Sequence, residues 1–204
     1  MLAPVEAATG QRDGRTVRAE RTRQALVDAL LSLLDEGHLT PTAAEIAARA
    51  GVSERSVFQH FPEREALFES VARQQYERVM PTLHPIDATL PLAERIEQFT
   101  RQRSRLYERI RGVRRAALLI EHESPAAAAW LTTARRAKAT EVERVFRREL
   151  DALPADRREA LGAALIAVCA WPAWDSWRSH QRLGVSRARA AMAAAIEALL
   201  GAER

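Results

Sequence analysis

The stretch Thr42–Leu67, TAAEIAARAGVSERSVFQHFPEREAL, decides the fold of this 204-residue chain. Thr42-Ala43-Ala44-Glu45 has the form of a capping box: the threonine hydroxyl can accept from the Glu45 N–H while the Glu45 carboxylate reaches back. A short helix over Ala43–Ala50 follows, with Ile46, Ala47 and Ala50 facing inward. Gly51-Val52-Ser53 reads as a turn, because Gly51 can take the left-handed conformation that ends a helix. Ser53 can then cap a second helix over Glu54–His60, in which Val57, with Phe61 four residues on, turns back to the core. Two short helices crossing at about 100° need a small residue where their backbones approach, glycine in the turn, and apolar side chains sealing the angle. Ala47, Gly51 and the trio Ile46, Val52 and Val57 fill those places, so the spacing predicts a helix-turn-helix over residues 42–61.

Upstream, Leu26, Ala29, Leu30, Leu33 and Leu34 form one face of a helix that Gly37 can end. Arg12 to Arg23 carries five arginines against Asp13 and Glu20, and residues 1–14 read as a flexible leader. Downstream, Pro62 opens a helix over Glu63–Val79, and Pro81 and Pro85 lead into a loop over 81–91. Five further helices are predicted: Leu92–Ile110, Val113–His122, Ala126–Leu150, Asp156–Leu183 kinked at Pro172, and Arg187–Leu200. The expectation is an all-α chain of about nine helices. A helix-turn-helix domain occupies 15–79 and a larger helical domain 80–204.

Composition agrees with this and excludes much else. Thirty of the 31 cationic residues are arginine, the net charge is +4 and alanine occurs 40 times, a helix-forming bias rather than a sign of function. No segment alternates as a β-strand does. A single cysteine, Cys169, excludes an internal disulfide and a cysteine zinc finger; it sits in an apolar run that predicts an inert buried thiol. No apolar run approaches the roughly 18 residues of a membrane span, and the N-terminus has no signal-peptide core. A soluble, cytoplasmic protein without a membrane partner is therefore expected.

The motif resembles the TetR family of bacterial transcriptional regulators. Thr42, Ile46, Ala47, Ala50, Gly51, Val52, Ser53, Ser56, Val57, Phe58, His60, Phe61, Arg64 and Leu67 fall on that family's pattern. The resemblance implies a three-helix DNA-binding domain followed by an all-α domain for effector binding and dimerisation. It also implies a dimer that mostly represses, and that a small-molecule effector releases from a palindromic double-stranded operator. One departure matters. Where the family usually has tyrosine, whose hydroxyl commonly meets a phosphate, this chain has Phe58, which either leaves that bond unmade or serves only to pack.

The exposed positions of the second motif helix are Glu54, Arg55, Gln59 and His60, with Ser56 at the edge. Arg55 can read guanine through a bidentate pair and Gln59 can read adenine. Thr42, Ser53, Ser56, His60 and Arg64 are short donors or cations near helix ends, suited to fixing the register on phosphates. Glu54 favours the positive helix N-terminus or accepts from cytosine. Residues 1–62 hold seven arginines and eight acids, so any affinity for DNA rests on local placement rather than net charge. The cluster Arg12, Arg15, Arg18, Arg21 and Arg23 either reaches an adjacent groove or is solvated.

All four tryptophans lie in the C-terminal half. Phe99, Arg103, Tyr107, Leu118, His122, Trp130, Thr133 and Trp171 are candidates to line an effector pocket, because such pockets are apolar with a few polar groups. Arg103 could pair an anionic ligand or a surface acid. The last two helices, about 156–200, resemble the family's dimer elements, and Ala191, Met192, Ala194, Ala195, Ala198 and Leu199 form a small-residue face for a homodimer four-helix bundle.

The five histidines lack metal-ligand spacing, Glu121-His122-Glu123 reads as a solvated helix end rather than a metal site, and no GxSxG, P-loop or GxGxxG occurs. The chain is thus expected to use no cofactor or metal and to be no enzyme. The alternative is an all-α interaction module or enzyme with a degenerate helix-turn-helix.

Overall fold

A computed structural model of the chain describes residues 9–201. Helices, and no strand, make up the regular structure among them. They are α1 (Thr9–Asp35), α2 (Ala43–Ala50), α3 (Glu54–His60), α4 (Arg64–Val79), α5 (Leu92–Ile120), α6 (Pro125–Val145), α7 (Arg147–Asp151), α8 (Ala155–Val168), α9 (Trp171–Asp175) and α10 (Val185–Gly201). A 3₁₀ turn, Met80–Thr82, follows α4, and a π-turn, Ser176–His180, follows α9. Both motif helices have the bounds expected from the sequence. The leader predicted over 1–14 lies outside the described residues as far as residue 8, and from Thr9 onward the backbone is helical.

The chain divides into two compact units. One holds the described residues through Glu77 together with Arg111–Ala127; the other holds Arg78–Ile110 and Ala128 onward. The expected boundary after residue 79 lies close to the division between Glu77 and Arg78, and the grouping of 111–127 with the first unit has no local signature in the sequence.

In the first unit, α1 packs against α2 and α3. Leu26, Leu31 and Leu34 of α1, Ile46 and Ala47 of α2, Val57 of α3, and Leu67 and Val71 of α4 are all buried. Each large apolar side chain so buried contributes on the order of 1.5–3 kcal/mol. The C-terminal part of α5 enters the same core through Val113, Ala116 and Ala117. Its Gly112 explains why one helix stands where two were expected. Glycine reads as a break, yet here it permits close approach: a Cβ on Gly112 would lie 2.2 Å from the Leu34 carbonyl oxygen. The helix runs on because that contact offsets the roughly 1 kcal/mol cost of mid-helix glycine.

In the second unit, the single helix expected over Ala126–Leu150 ends instead at Val145 and resumes at Arg147. Phe146 between them adopts φ −110°, ψ 18°. The buried Arg95 guanidinium donates to the Val145 carbonyl at 2.7 Å and holds the Glu149 carboxylate, which burial opposes but Arg95 keeps below the usual carboxylate range. That carbonyl is thereby satisfied without a continuous α-helix. The helix predicted over Asp156–Leu183 is likewise two. Pro172 lies in the first turn of α9, where proline is tolerated, and does not kink a longer helix. The Tyr107 hydroxyl donates to the Cys169 carbonyl at 2.8 Å, meeting a group left over at the end of α8.

Candidate nucleic-acid interface

The two motif helices are held by caps at both ends of the turn. The Glu45 N–H donates to the Thr42 hydroxyl at 3.3 Å, and the Thr42 N–H donates to the Glu45 carboxylate at 2.7 Å. That backbone bond, with a second from the Thr42 hydroxyl, holds the Glu45 carboxyl below the usual carboxylate range. Gly51 takes φ 69°, ψ 32°, and nothing lies within 4 Å of the place a Cβ would occupy. Glycine is required there for its backbone conformation and not for space. The Val52 N–H then reaches the Ala47 carbonyl at 3.0 Å. Ser53 caps α3 by accepting from the Ser56 N–H at 3.3 Å, and the two serine hydroxyls share a hydrogen bond of 2.9 Å.

The result is a helix with two distinct sides. Val57 of α3 is buried in the unit's core. Glu54, Arg55, Phe58 and Gln59 are exposed, at spacings of one and four residues, and form one stripe. Arg64 is exposed at the start of α4, and Thr42 at the start of α2, while Ser56 and His60 are half-buried at the edges of the stripe. The structure thus brings Ser53, Arg55, Ser56, Gln59 and His60 together on one short helix and its cap. Two of these carry a structural duty as well: Ser53 and Ser56 already bond one another.

Three contacts in this unit have no motif behind them. The Arg23 guanidinium stacks 4.1 Å from the centre of the Phe61 ring and donates to the His60 carbonyl at 3.1 Å and the Ser70 hydroxyl at 3.4 Å. Arg23 is therefore an anchor for the end of α3, and the sequence-based grouping with a DNA-reaching arm is corrected for this residue. Arg15, Arg18 and Arg21 are exposed on α1; the side chain of Arg12 lies outside the described residues. The Arg49 guanidinium pairs with the Glu36 carboxylate through bonds of 2.5 and 2.7 Å, tying α2 to the segment after α1. That pairing, with a further bond from Ser32, holds Glu36 below its ordinary value. Finally, the Glu65 carboxylate of α4 accepts from the Ser124 hydroxyl and from the Ala126 N–H at the start of α6. These partners lie 13 to 61 residues apart, and no local pattern marks such pairs.

The pocket candidates separate. Leu118 and His122 belong to the first unit; His122 is exposed beside Glu123. Of the six in the second unit, Phe99, Arg103, Tyr107 and Trp171 form one cluster. The Arg103 guanidinium lies 4.5 Å from the Phe99 ring centre and 5.7 Å from that of Tyr107, and Tyr107 meets Trp171 edge to face at 5.5 Å. Arg103 is 2% exposed and pairs with Glu141 at 3.1 Å. Trp130 is half-buried on α6, and Thr133 is exposed with its hydroxyl bonded to the Ala129 carbonyl at 2.9 Å. Of the small-residue face assigned to the last helix, Met192 is fully buried within the unit.

A capped α2, a left-handed glycine and a two-sided α3 packed on α1 define a helix-turn-helix domain of the DNA-binding type. Residues 26–71 match the profile described as bacterial regulatory proteins, tetR family. Among curated relatives, the HTH-type transcriptional repressor LfrR of Mycolicibacterium smegmatis is 40% identical over 78 residues, 35% of this chain and 41% of LfrR. The alignment thus spans less than half the length of that relative. Over most of the chain the fold is that of a tetR-family transcriptional regulator from Streptomyces coelicolor: TM-score 0.66, 19% identity, 90% of this chain and 82% of that one. A transcriptional regulator from Rhodococcus sp. Rha1 is similar at TM-score 0.65 and 20% identity, over 90% of this chain and 96% of its own. No described helix is long and apolar enough to cross a membrane.

Proposed function

We propose that this chain is a sequence-specific DNA-binding transcriptional regulator, acting as a dimeric repressor that a small-molecule effector releases from a palindromic operator. The observation that carries the reading is the exposed stripe of α3, which offers an arginine and a glutamine from a helix seven residues long. Such a helix presents its outer side chains to the major groove, where Arg55 reads guanine and Gln59 reads adenine. Thr42, Ser53, Ser56, His60 and Arg64 fix the register on phosphates. The work is done where the chromosome is, in the cytoplasm.

Dimerisation is through residues 156–200. Ala160, Ala163 and Ala167 are exposed at spacings of three and four on α8, as are Ala194 and Ala198 on α10, and small residues let helices of two copies approach closely. The effector is held in the second unit by Phe99, Tyr107, Trp130 and Trp171. Because Glu141 already neutralises Arg103, an uncharged aromatic effector fits this cluster better than an anion. Thr133 of the same unit is a further effector contact.

The test is an electrophoretic shift with DNA from the region upstream of the chain's own gene, repeated across salt concentrations. A logarithmic affinity that falls steeply with logarithmic salt supports the reading, since phosphate contacts release counterions. A slope near zero removes it. Compounds that raise the melting temperature and abolish the shift identify the effector.

A further inference from the structure

Phe58 is 55% exposed, although an exposed phenyl ring on a helix is unfavourable, and the side chain of α3 buried in the core of this unit is its neighbour Val57. It does not serve only to pack. It stands inside the stripe with Arg55 three residues before it and Gln59 one residue after it, about a quarter turn from the buried Val57. The two neighbours carry the donors and acceptors suited to guanine and adenine edges. The phenyl ring carries neither. In the major groove the matching group is the 5-methyl of thymine, the apolar feature that base edges present there.

We propose that Phe58 is a specificity-determining residue that reads a thymine methyl group in each half-site. The inference rests on the DNA-binding reading of α3 and extends it. Three residues of helix advance about 4.5 Å, little more than one base-pair step, so the thymine lies next to or one step beyond the pair that Arg55 reads. The missing hydroxyl is then not simply a lost phosphate bond; it leaves a ring edge free of any polar group that would have to be desolvated against a methyl.

The experiment uses the full chain and a duplex that the wild-type protein selects from a randomised library. Each thymine of the selected site is replaced in turn by deoxyuridine, which lacks only the methyl, and affinity is read by fluorescence anisotropy at one salt concentration. The expected result is a loss of about fourfold, the value of one buried methyl, at a single symmetry-related thymine per half-site. Phe58→Ala should weaken binding to the thymine duplex and show no further loss with uracil, whereas Phe58→Tyr, which keeps the ring but must desolvate its hydroxyl against the methyl, should show a smaller uracil penalty than the wild type. Circular dichroism and melting temperature confirm that both variants fold, as substitutions at an exposed position should. Equal uracil penalties in wild type and Phe58→Ala, or none in the wild type, overturn the proposal while specific binding stands. If the wild-type chain selects no sequence and its binding does not depend on salt, the DNA-binding reading falls, and the assignment of Phe58 with it.

Discussion

The Arg23 guanidinium lies over the Phe61 ring, 4.1 Å from its centre, while donating to the carbonyl of His60 just before it. One side chain of α1 thus caps the C-terminal end of α3 and covers the aromatic residue that closes the motif. A cation over an aromatic face contributes about 0.5–2 kcal/mol, and a hydrogen bond from a charged group about 1.5–3 kcal/mol. Arg23→Ala is expected to lower the denaturation midpoint and to weaken DNA binding by loosening α3. Arg23→Lys should not recover the loss, because a point charge cannot stack and fork its donors as guanidinium does. Chemical denaturation together with the shift assay checks both; an unchanged midpoint would show that the contact is dispensable.

Gly112 faces a harder limit. A methyl group there would sit 2.2 Å from the Leu34 oxygen and 2.5 Å from its carbon, and both are backbone atoms that cannot rotate aside. Gly112→Ala ordinarily favours a helix, yet here the helices must separate, at a cost of about 1–3 kcal/mol for overpacking. Urea denaturation of this variant should show a clear loss. A gain, as helix propensity alone predicts, would mean that the two helices can part freely.

Arg55 is exposed at the second position of α3. Arg55→Ala is expected to cost about 1–3 kcal/mol of binding and to relax preference at one base pair of each half-site. Affinities across a set of single-base operator variants distinguish this from a phosphate contact. Uniform loss at every position would reassign Arg55 to the backbone.

Cys169 is 1% exposed, and burial pushes its thiol up to about 12, despite an opposing pull from Arg103. The thiolate is the reactive form, so alkylation by iodoacetamide at pH 8 should proceed only through unfolding and accelerate in denaturant. The sign of the linkage follows. A folded-state value above the ordinary 9.0 contributes stability that is fully present below about pH 9 and is lost as the pH climbs toward 12. Comparing stability against pH for wild type and Cys169→Ala isolates this contribution. Rapid labelling of the native protein would contradict the burial.

What could be read from the sequence is local. Thr42 and Glu45, Gly51 and Ser53 are near neighbours, and capping and left-handed turns are interactions across three or four residues, so α2, α3 and the turn between them were legible to their end residues. The division of α3 into a buried Val57 and an exposed Arg55 and Gln59 followed from helical period. Phe58 was legible as a missing hydroxyl but not as an exposed ring, since exposure depends on what the rest of the chain covers.

Only the tertiary structure decided the pairs that chain separation hides: Arg23 on Phe61, Glu65 at the start of α6, Gly112 against Leu34, Arg95 on Val145. Glycine and proline illustrate the difference. Their intrinsic preferences argue for a break at Gly112 and a kink at Pro172, but a close backbone approach kept the first inside a helix, and a helix start placed the second at a position that needs no N–H. Propensities amount to about 1 kcal/mol, and a packed contact of comparable size can reverse them. The sequence by itself determined an all-helical chain with a helix-turn-helix near its start. Which arginines serve the fold and which remain outside for a partner was decided by packing, because charge alone is the same for both.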